Sequence, residues 1–260
     1  MQNFNYHTHT YRCEHAVGED REYVIEAIKS GYKIIGFSDH APYTNGYAPG
    51  ERMRREDLDK YYADITKLKE EFKDQIEIYI GLEFEFYKTH IEELREYRKR
   101  FDYMIVGQHD AALYTNDFYN HHEDEDILQY AHLIEEACNE GLVDIVAHPD
   151  LFMFGKEEWT NACSEATKII CEAAVKNNCV LELNLNGIRY GKKQLGDEYR
   201  YAYPYRKFWE IASNYDIKCI YGLDAHNPQK FNDYACYDII NEIVKGLKLN
   251  ILKEYRPNKQ

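Results

Sequence analysis

The stretch DREYVIEAIKSGYKIIGFSDH, residues 20–40, carries in one piece the pattern that decides the fold. Its first half, DREYVIEAIKSG, is an amphipathic charged segment of helical character, and Gly31 stands where a helix C-cap is expected. Its second half, KIIGFS at 33–38, is a short apolar run of strand character, followed at once by Asp39 and His40. Working outward, the same alternation recurs along the whole chain. Further strands are predicted over 4–7 (FNYH), 76–84 (IEIYIGLEF), 102–109 (DYMIVGQH), 143–148 (VDIVAH), 179–185 (CVLELNL) and 218–224 (KCIYGLD). Helical patterns separate them: REDLDKYYADITKLKEEF, IEELREYRKR, DEDILQYAHLIEEACNEG, SEATKIICEAAVKNN and YRKFWEIASNY, with DYACYDIINEIVKGL after the last strand. Seven strands, each followed by a helix, predict an α/β chain with a parallel sheet and helices outside. At 260 residues, with no Pro/Gly/Ser-rich linker and no repeat, this is one domain over 1–260, a closed or nearly closed barrel like a TIM barrel. An open doubly wound sheet is the alternative, and no G-x-G-x-x-G follows the first strand to support its dinucleotide-binding form.

Composition narrows the function classes. A 44% hydrophobic content over 260 residues can bury a sizeable core, yet no run of about 18 apolar residues exists, so no membrane span is expected. The N-terminus has no charged region followed by an apolar run, and a cytoplasmic location is expected. The seven cysteines (Cys13, Cys138, Cys163, Cys171, Cys179, Cys219, Cys236) are odd in number and include no C-x-x-C pair, which predicts reduced, buried thiols. Only Cys13 stands near a histidine cluster. The net charge is −14 and the basic residues are dispersed, which argues against long nucleic acid as a partner. The 25 tyrosines follow no period and read as packing and surface.

The chemistry lies at the strand ends. The chain opens MQNFNYHTHTYRCEH, and in an extended strand His7 and His9, two apart, share a face. His15 follows in the loop. The second strand ends in Asp39 and His40, the third in Glu83 and Glu85, and the fourth in His109 and Asp110. His148 and Asp150 flank Pro149 after the fifth, Asn184 and Asn186 end the sixth, and Asp224 and His226 end the seventh. A lone histidine at a strand end is usually a hydrogen-bonded structural residue. In a barrel, however, the C-terminal strand ends converge, and seven histidines with carboxylates at one mouth suit zinc, manganese or iron. About nine donors imply two or three ions. His90, His121, His122 and His132 fall in helical or loop segments and are expected to be solvated.

The set H-T-H (7–9), His15, S-D-H (38–40), G-L-E (81–83), G-Q-H (107–109), A-H-P-D (147–150) and L-D-A-H (223–226) resembles, in order and spacing, the motif set of the polymerase and histidinol phosphatase (PHP) superfamily. The resemblance runs the whole chain, and segments such as MRREDLDKYYADITKLKEEF are similar to histidinol-phosphate phosphatases in particular. It implies a distorted (β/α)7 barrel with a three-metal cluster at its mouth. His7, His9, Glu83 and Asp224 would hold one ion, Glu83, His109 and His148 a second, and His15, His40 and His226 a third. Two departures stand out: GLDAH replaces the common S-D-A-H, and FMFGK follows A-H-P-D-L where a phosphate-binding arginine is expected.

The implied activity is hydrolysis of a small phosphomonoester, L-histidinol phosphate in histidine biosynthesis, by a hydroxide bridging the Glu83-linked ions. Three divalent ions, two carboxylates and one hydroxide sum to about +3, so the centre attracts a phosphate dianion despite the acidic chain. Asp224 or His226 is expected to serve as general acid. Arg189, in the loop NLNGIRYGKK, is the expected bidentate phosphate clamp, with Asn186 beside it and Arg206 a further substrate contact. The same metal set would also serve a phosphodiesterase or a phosphotyrosine phosphatase. A non-catalytic metal-binding domain would show missing ligands, and every position here is filled. Oligomeric state is open.

Overall fold

The computed structural model describes residues 2–113, 115–120 and 123–257. Eight parallel strands form one curled sheet: β1 (Phe4–Asn5), β2 (Ile34–His40), β3 (Glu77–Phe84), β4 (Tyr103–Val106), β7 (Ile145–Val146), β8 (Val180–Asn184), β11 (Lys218–Gly222) and β12 (Asn250–Ile251), neighbouring in that order. Two antiparallel hairpins, β5 (Asp110–Ala112) with β6 (Thr115–Asp117) and β9 (Lys192–Leu195) with β10 (Glu198–Tyr201), occupy the loops after β4 and β8. The helices are α1 (Asp20–Lys29), α2 (Leu58–Glu71), α3 (Ile91–Arg100), α4 (Asp124–Asn139), α5 (Asn161–Lys176), the short α6 (Asn186–Arg189), α7 (Arg206–Ala212) and α8 (Tyr234–Ile243). None of the described helices is long and apolar enough to cross a membrane.

Local chemistry sets the helix ends. A capping box closes the start of α1, where the Glu22 carboxylate accepts from Glu19 N–H at 2.7 Å. Thr160 caps α5 by accepting from Cys163 N–H. Gly31 and Gly141, as expected, take φ of +83° and +72° just past the ends of α1 and α4.

Strand alternation builds two cores. Outward residues such as Ile35, Phe37, Ile80, Leu82, Val106, Leu181 and Leu183 meet the helices. Inward residues Phe4, Tyr6, Ile34, Tyr103, Ile105, Ile145, Val180 and Ile220 fill the barrel interior. Tyr103 is accommodated by inward Gly36 and Gly81, where a Cβ would lie 2.4 and 2.6 Å from its ring and hydroxyl atoms.

The barrel closes between β1 and β11, and the closure is what distorts it. At the mouth, Thr8 bridges Ala225 in parallel, with His9 N–H donating to Ala225 C=O (3.0 Å) and Ala225 N–H to His7 C=O (3.1 Å). At the other end β12 occupies that edge of β11, pairing Asn250 with Lys218. Between them side-chain amides stand in for the ladder: Gln2 Nε2 donates to Tyr221 C=O (2.7 Å), Tyr221 N–H to Gln2 Oε1 (3.0 Å), and Leu223 N–H to Asn5 Oδ1 (2.8 Å).

The structure differs from the sequence expectation in two ways. Among the described residues the parallel sheet has eight strands rather than seven, because the two-residue β12 is too short to show a period, and the two hairpins add four strands that were not predicted. Strands β1, β4, β7 and β11 also stop two or more residues sooner than predicted, at Asn5, Val106, Val146 and Gly222. The residues after them leave the ladder to project donors into the mouth, and the backbone shows it: His148 and Asp224 have φ of +29° and +46°.

Candidate metal centre

Glu83, the last inward residue of β3, is the hub of the mouth. It is buried, and Gly107, just past the end of β4, makes room for it, since a Cβ there would sit 1.9 Å from Glu83 Oε1. Around Oε2 lie His7 Nε2 (3.2 Å), His9 Nε2 (3.3 Å) and His40 Nδ1 (3.3 Å). Around Oε1 lie His148 Nε2 (3.1 Å) and His109 Nε2 (3.9 Å). Asp224 Oδ1 reaches His7 Nε2 (3.6 Å), His9 Nε2 (3.3 Å) and His226 Nδ1 (3.2 Å). His15 Nε2, at the rim, lies 2.9 Å from His226 Nε2, and His15, His40 and His226 form a third group of donors. All nine sequence-derived ligand candidates therefore meet, although they come from six strand ends and one loop.

These donors fit divalent ions. Two ligands of one tetrahedral ion with bonds of about 2.0–2.1 Å stand roughly 3.3 Å apart, which is the spacing of most of these pairs. They are poor hydrogen bonds by comparison. Among the described residues, His7 Nε2, both ring nitrogens of His9, and His148 Nδ1 are buried without a hydrogen-bond partner, and buried polar atoms are rarely left so unless a ligand serves them.

Behind the donors stands a ring of acceptors that holds them. Glu182 on β8 lies 2.9 Å from His7 Nδ1. Glu85 lies 2.9 Å from His109 Nδ1 and accepts from Arg52 Nη1 at 2.8 Å. Asp39 accepts from His40 N–H at 2.9 Å and from the Thr10 hydroxyl, and approaches His9 Nδ1 at 3.6 Å. His15 Nδ1 faces Cys13 C=O at 3.0 Å. Such partners select the tautomer and aim the other nitrogen inward.

The electrostatics divide the imidazoles. Burial pushes His7 and His9 toward neutrality, but the carboxylates around them outweigh it; His7 is held well above its usual value and His9 at about 10. Burial and the charge on His9 push His40 well down, and burial with His226 and His9 takes His15 to about 4. Burial would raise Glu83 and Asp224, yet His7 and its neighbours keep both ionised. Loading a cation at His7 and His9 therefore releases protons.

The centre floors a cavity of about 710 Å3, walled by Arg52, Asp110, Asp117, Tyr119, Asn186, Arg189, Tyr190 and Lys230 among others. Asn186 and Arg189 are where the sequence put them. The Arg189 fork is partly committed, however: Nε pairs with Asp233 (2.8 Å) and Nη1 donates to Leu223 C=O (2.5 Å), while buried Nη2 has no partner. Arg206 is not in the cavity. As the first residue of α7 it turns outward to Glu210 (2.8 Å) and to the carbonyls of Ile243, the last residue of α8, and of Lys245 just past it, which its helical placement explains. Asp150 also leaves the mouth: Oδ2 accepts from Tyr205 N–H and Trp209 Nε1, and burial pushes its carboxyl up to about 7. His132 is exposed and paired with Glu135. His90 is half-buried, near the Thr44 carbonyl and outside the cluster, rather than fully solvated. His121 and His122 lie outside the described residues. Cys13 is buried beside His9 and His226, its thiol donating to Thr10 C=O and pushed up by burial. Sequence reasoning missed Glu182, Arg52, Tyr119 and Lys230. For Glu182 a signal existed, because in VLELN it alternates in phase with Asn184.

The PHP domain model matches residues 5–186. A Deinococcus radiodurans protein named "Probable histidinol-phosphatase" is 27% identical over 248 residues, 91% of each chain. The histidinol-phosphatase of Bacillus subtilis is 31% identical over 100 residues, 36% of this chain and 37% of that one. Among solved structures, the histidinol phosphate phosphatase of Lactococcus lactis, complexed with zinc, L-histidinol and phosphate, superposes with a TM-score of 0.74 at 20% identity, covering 96% of this chain and 95% of that one.

Proposed function

Since the chain belongs to the PHP domain family, we propose that it is a divalent-metal-dependent phosphomonoesterase whose substrate is L-histidinol phosphate, cleaved to L-histidinol and phosphate in histidine biosynthesis. The observation that carries the reading is the convergence of nine donors around Glu83 and Asp224, six of them lining the floor of one cavity and His7, His9 and His148 buried behind it with ring nitrogens unpartnered among the described residues. The names of the Deinococcus and Bacillus relatives support it, as does the product complex of the Lactococcus protein.

His7, His9, Glu83 and Asp224 would hold one ion, Glu83, His109 and His148 a second, and His15, His40 and His226 a third. Divalent ions held there, two or three of zinc, manganese or iron, would lower the pKa of water toward neutrality and would neutralise phosphoryl oxygens. The protein's own groups do the rest. Arg189 Nη2 and Lys230 on the cavity wall orient the phosphate, with Asn186 beside them. Asp110, Asp117, Tyr119 and Tyr190 face the leaving group and suit its ammonium and imidazole. Asp224 or His226, 3.2 Å apart and both lining the cavity, would relay a proton from solvent to the departing alkoxide. Seven free, buried cysteines favour work in a reducing compartment such as the cytoplasm.

Phosphate release from L-histidinol phosphate, measured beside bis-p-nitrophenyl phosphate on manganese- or zinc-loaded protein, tests this. Fast turnover of the first and little of the second is expected. Preference for the diester, or slow action on both, removes the substrate assignment and leaves the centre.

A further inference from the structure

We propose that Glu182 is a positioning residue that fixes the spacing between the two halves of the metal centre, although it is not one of the nine donors. This rests on the reading of the centre as a divalent-metal site. Glu182 is an inward residue of β8 and is 1% exposed. His7 Nδ1 lies 2.9 Å from Oε1 and 3.1 Å from Oε2, and Oε2 also accepts the backbone N–H of His148 at 3.1 Å. Asn184 Nδ2 adds a third donor to Oε2 at 3.2 Å and reaches on to Asp224 Oδ2 at 3.3 Å. One carboxylate thus ties β1, β7 and, through Asn184, the end of β11.

The two residues it braces sit on opposite sides of Glu83. His7 Nε2 faces Oε2 of Glu83, and His148 Nε2 faces Oε1. Donation from His7 Nδ1 leaves the Nε2 lone pair aimed into the centre, where it has no other partner. His148 has a φ of +29°, a conformation unfavourable to a side-chain-bearing residue. Its backbone is held at both ends, N–H by Glu182 and C=O by the Tyr130 hydroxyl at 3.0 Å. The neighbouring strand leaves Glu182 its space: at Gly222 a Cβ would lie 1.3 Å from Oε1. A side chain held this closely has one conformation, so the separation of the His7 and His148 nitrogens follows from its length.

Glu182→Gln keeps the shape and removes one of the two acceptors. In the zinc-loaded protein it is expected to weaken zinc affinity, measured by chelator competition, about 10–100-fold and to lower kcat comparably with KM little changed. The melting temperature of the metal-free form should stay close to wild type. A folded variant with wild-type zinc affinity and stoichiometry overturns the role, as does a fall in metal-free stability with unchanged affinity. Should the variant not fold, nitrogen-15 spectra of zinc-loaded wild type decide: a proton on His7 Nδ1 is expected, and one on Nε2 overturns the proposal. No zinc binding by the wild type overturns the metal reading itself, whereas wild-type binding with an unaffected variant overturns only Glu182.

Discussion

The barrel interior has two storeys built on the same strands, and they are finished differently. In the lower one Phe4, Tyr6, Ile34, Tyr103, Ile145, Val180 and Ile220 interlock. Its polar atoms are satisfied: the Tyr103 hydroxyl donates to Tyr6 C=O (2.5 Å) with Phe37 C=O at 3.0 Å, and the Tyr6 hydroxyl donates to Tyr255 C=O (2.8 Å). In the upper one, a few residues further along, His40, Glu83, His109, Glu182 and Asp224 take the inward positions and buried ring nitrogens go unpartnered. Each such atom costs about 1–3 kcal/mol when left alone. The lower storey therefore supplies the rigidity, and the upper one gives up stability to keep a set of donors ready. Close approach to glycine serves both: Tyr103 over Gly36 and Gly81 below, Glu83 against Gly107 above.

Mutations in the two storeys should separate stability from chemistry. The largest effect is expected at Glu83→Gln, which should lower kcat about 1000-fold, or ~4 kcal/mol, together with metal content. Full occupancy and a normal rate in that variant would remove the bridging role and with it the contrast. Next, Tyr103→Ala should cost about 3–5 kcal/mol of unfolding free energy in denaturant titrations. The fraction that remains folded should keep its metal stoichiometry; loss of metal at full folding would mean that the storeys are not separable. Smaller again, Arg189→Ala should raise KM for the monoester roughly tenfold, the worth of one charged hydrogen bond, while Arg206→Ala, whose side chain lies outside the cavity, leaves KM unchanged. An unmoved KM for Arg189→Ala withdraws the clamp, and a raised KM for Arg206→Ala places substrate outside the cavity described.

Much of the upper storey was legible in the chain, because ligand chemistry restricts residue types and barrel strands place them by a simple rule. Glu83 and His109 were readable as strand-end residues for that reason. The second ring was less so. Arg52 precedes a helical pattern where a solvated charge is the ordinary reading, and only the fold turns it onto Glu85. Arg206 was over-read for the complementary reason: its position in sequence, not its direction, suggested the cavity.

The sequence by itself determined the alternation of strand and helix, the shared face of His7 and His9, and the placing of nine candidate donors at strand ends and in the first loop, since these follow from local periodicity and side-chain chemistry. Only the tertiary structure decided where each strand ends, how β12 and the Gln2 and Asn5 amides complete the β1–β11 seam, and which carboxylate stands behind which imidazole. Those outcomes depend on distances between residues as far apart in the chain as His7 and Glu182, and such distances are set by packing across the whole barrel rather than by any local preference.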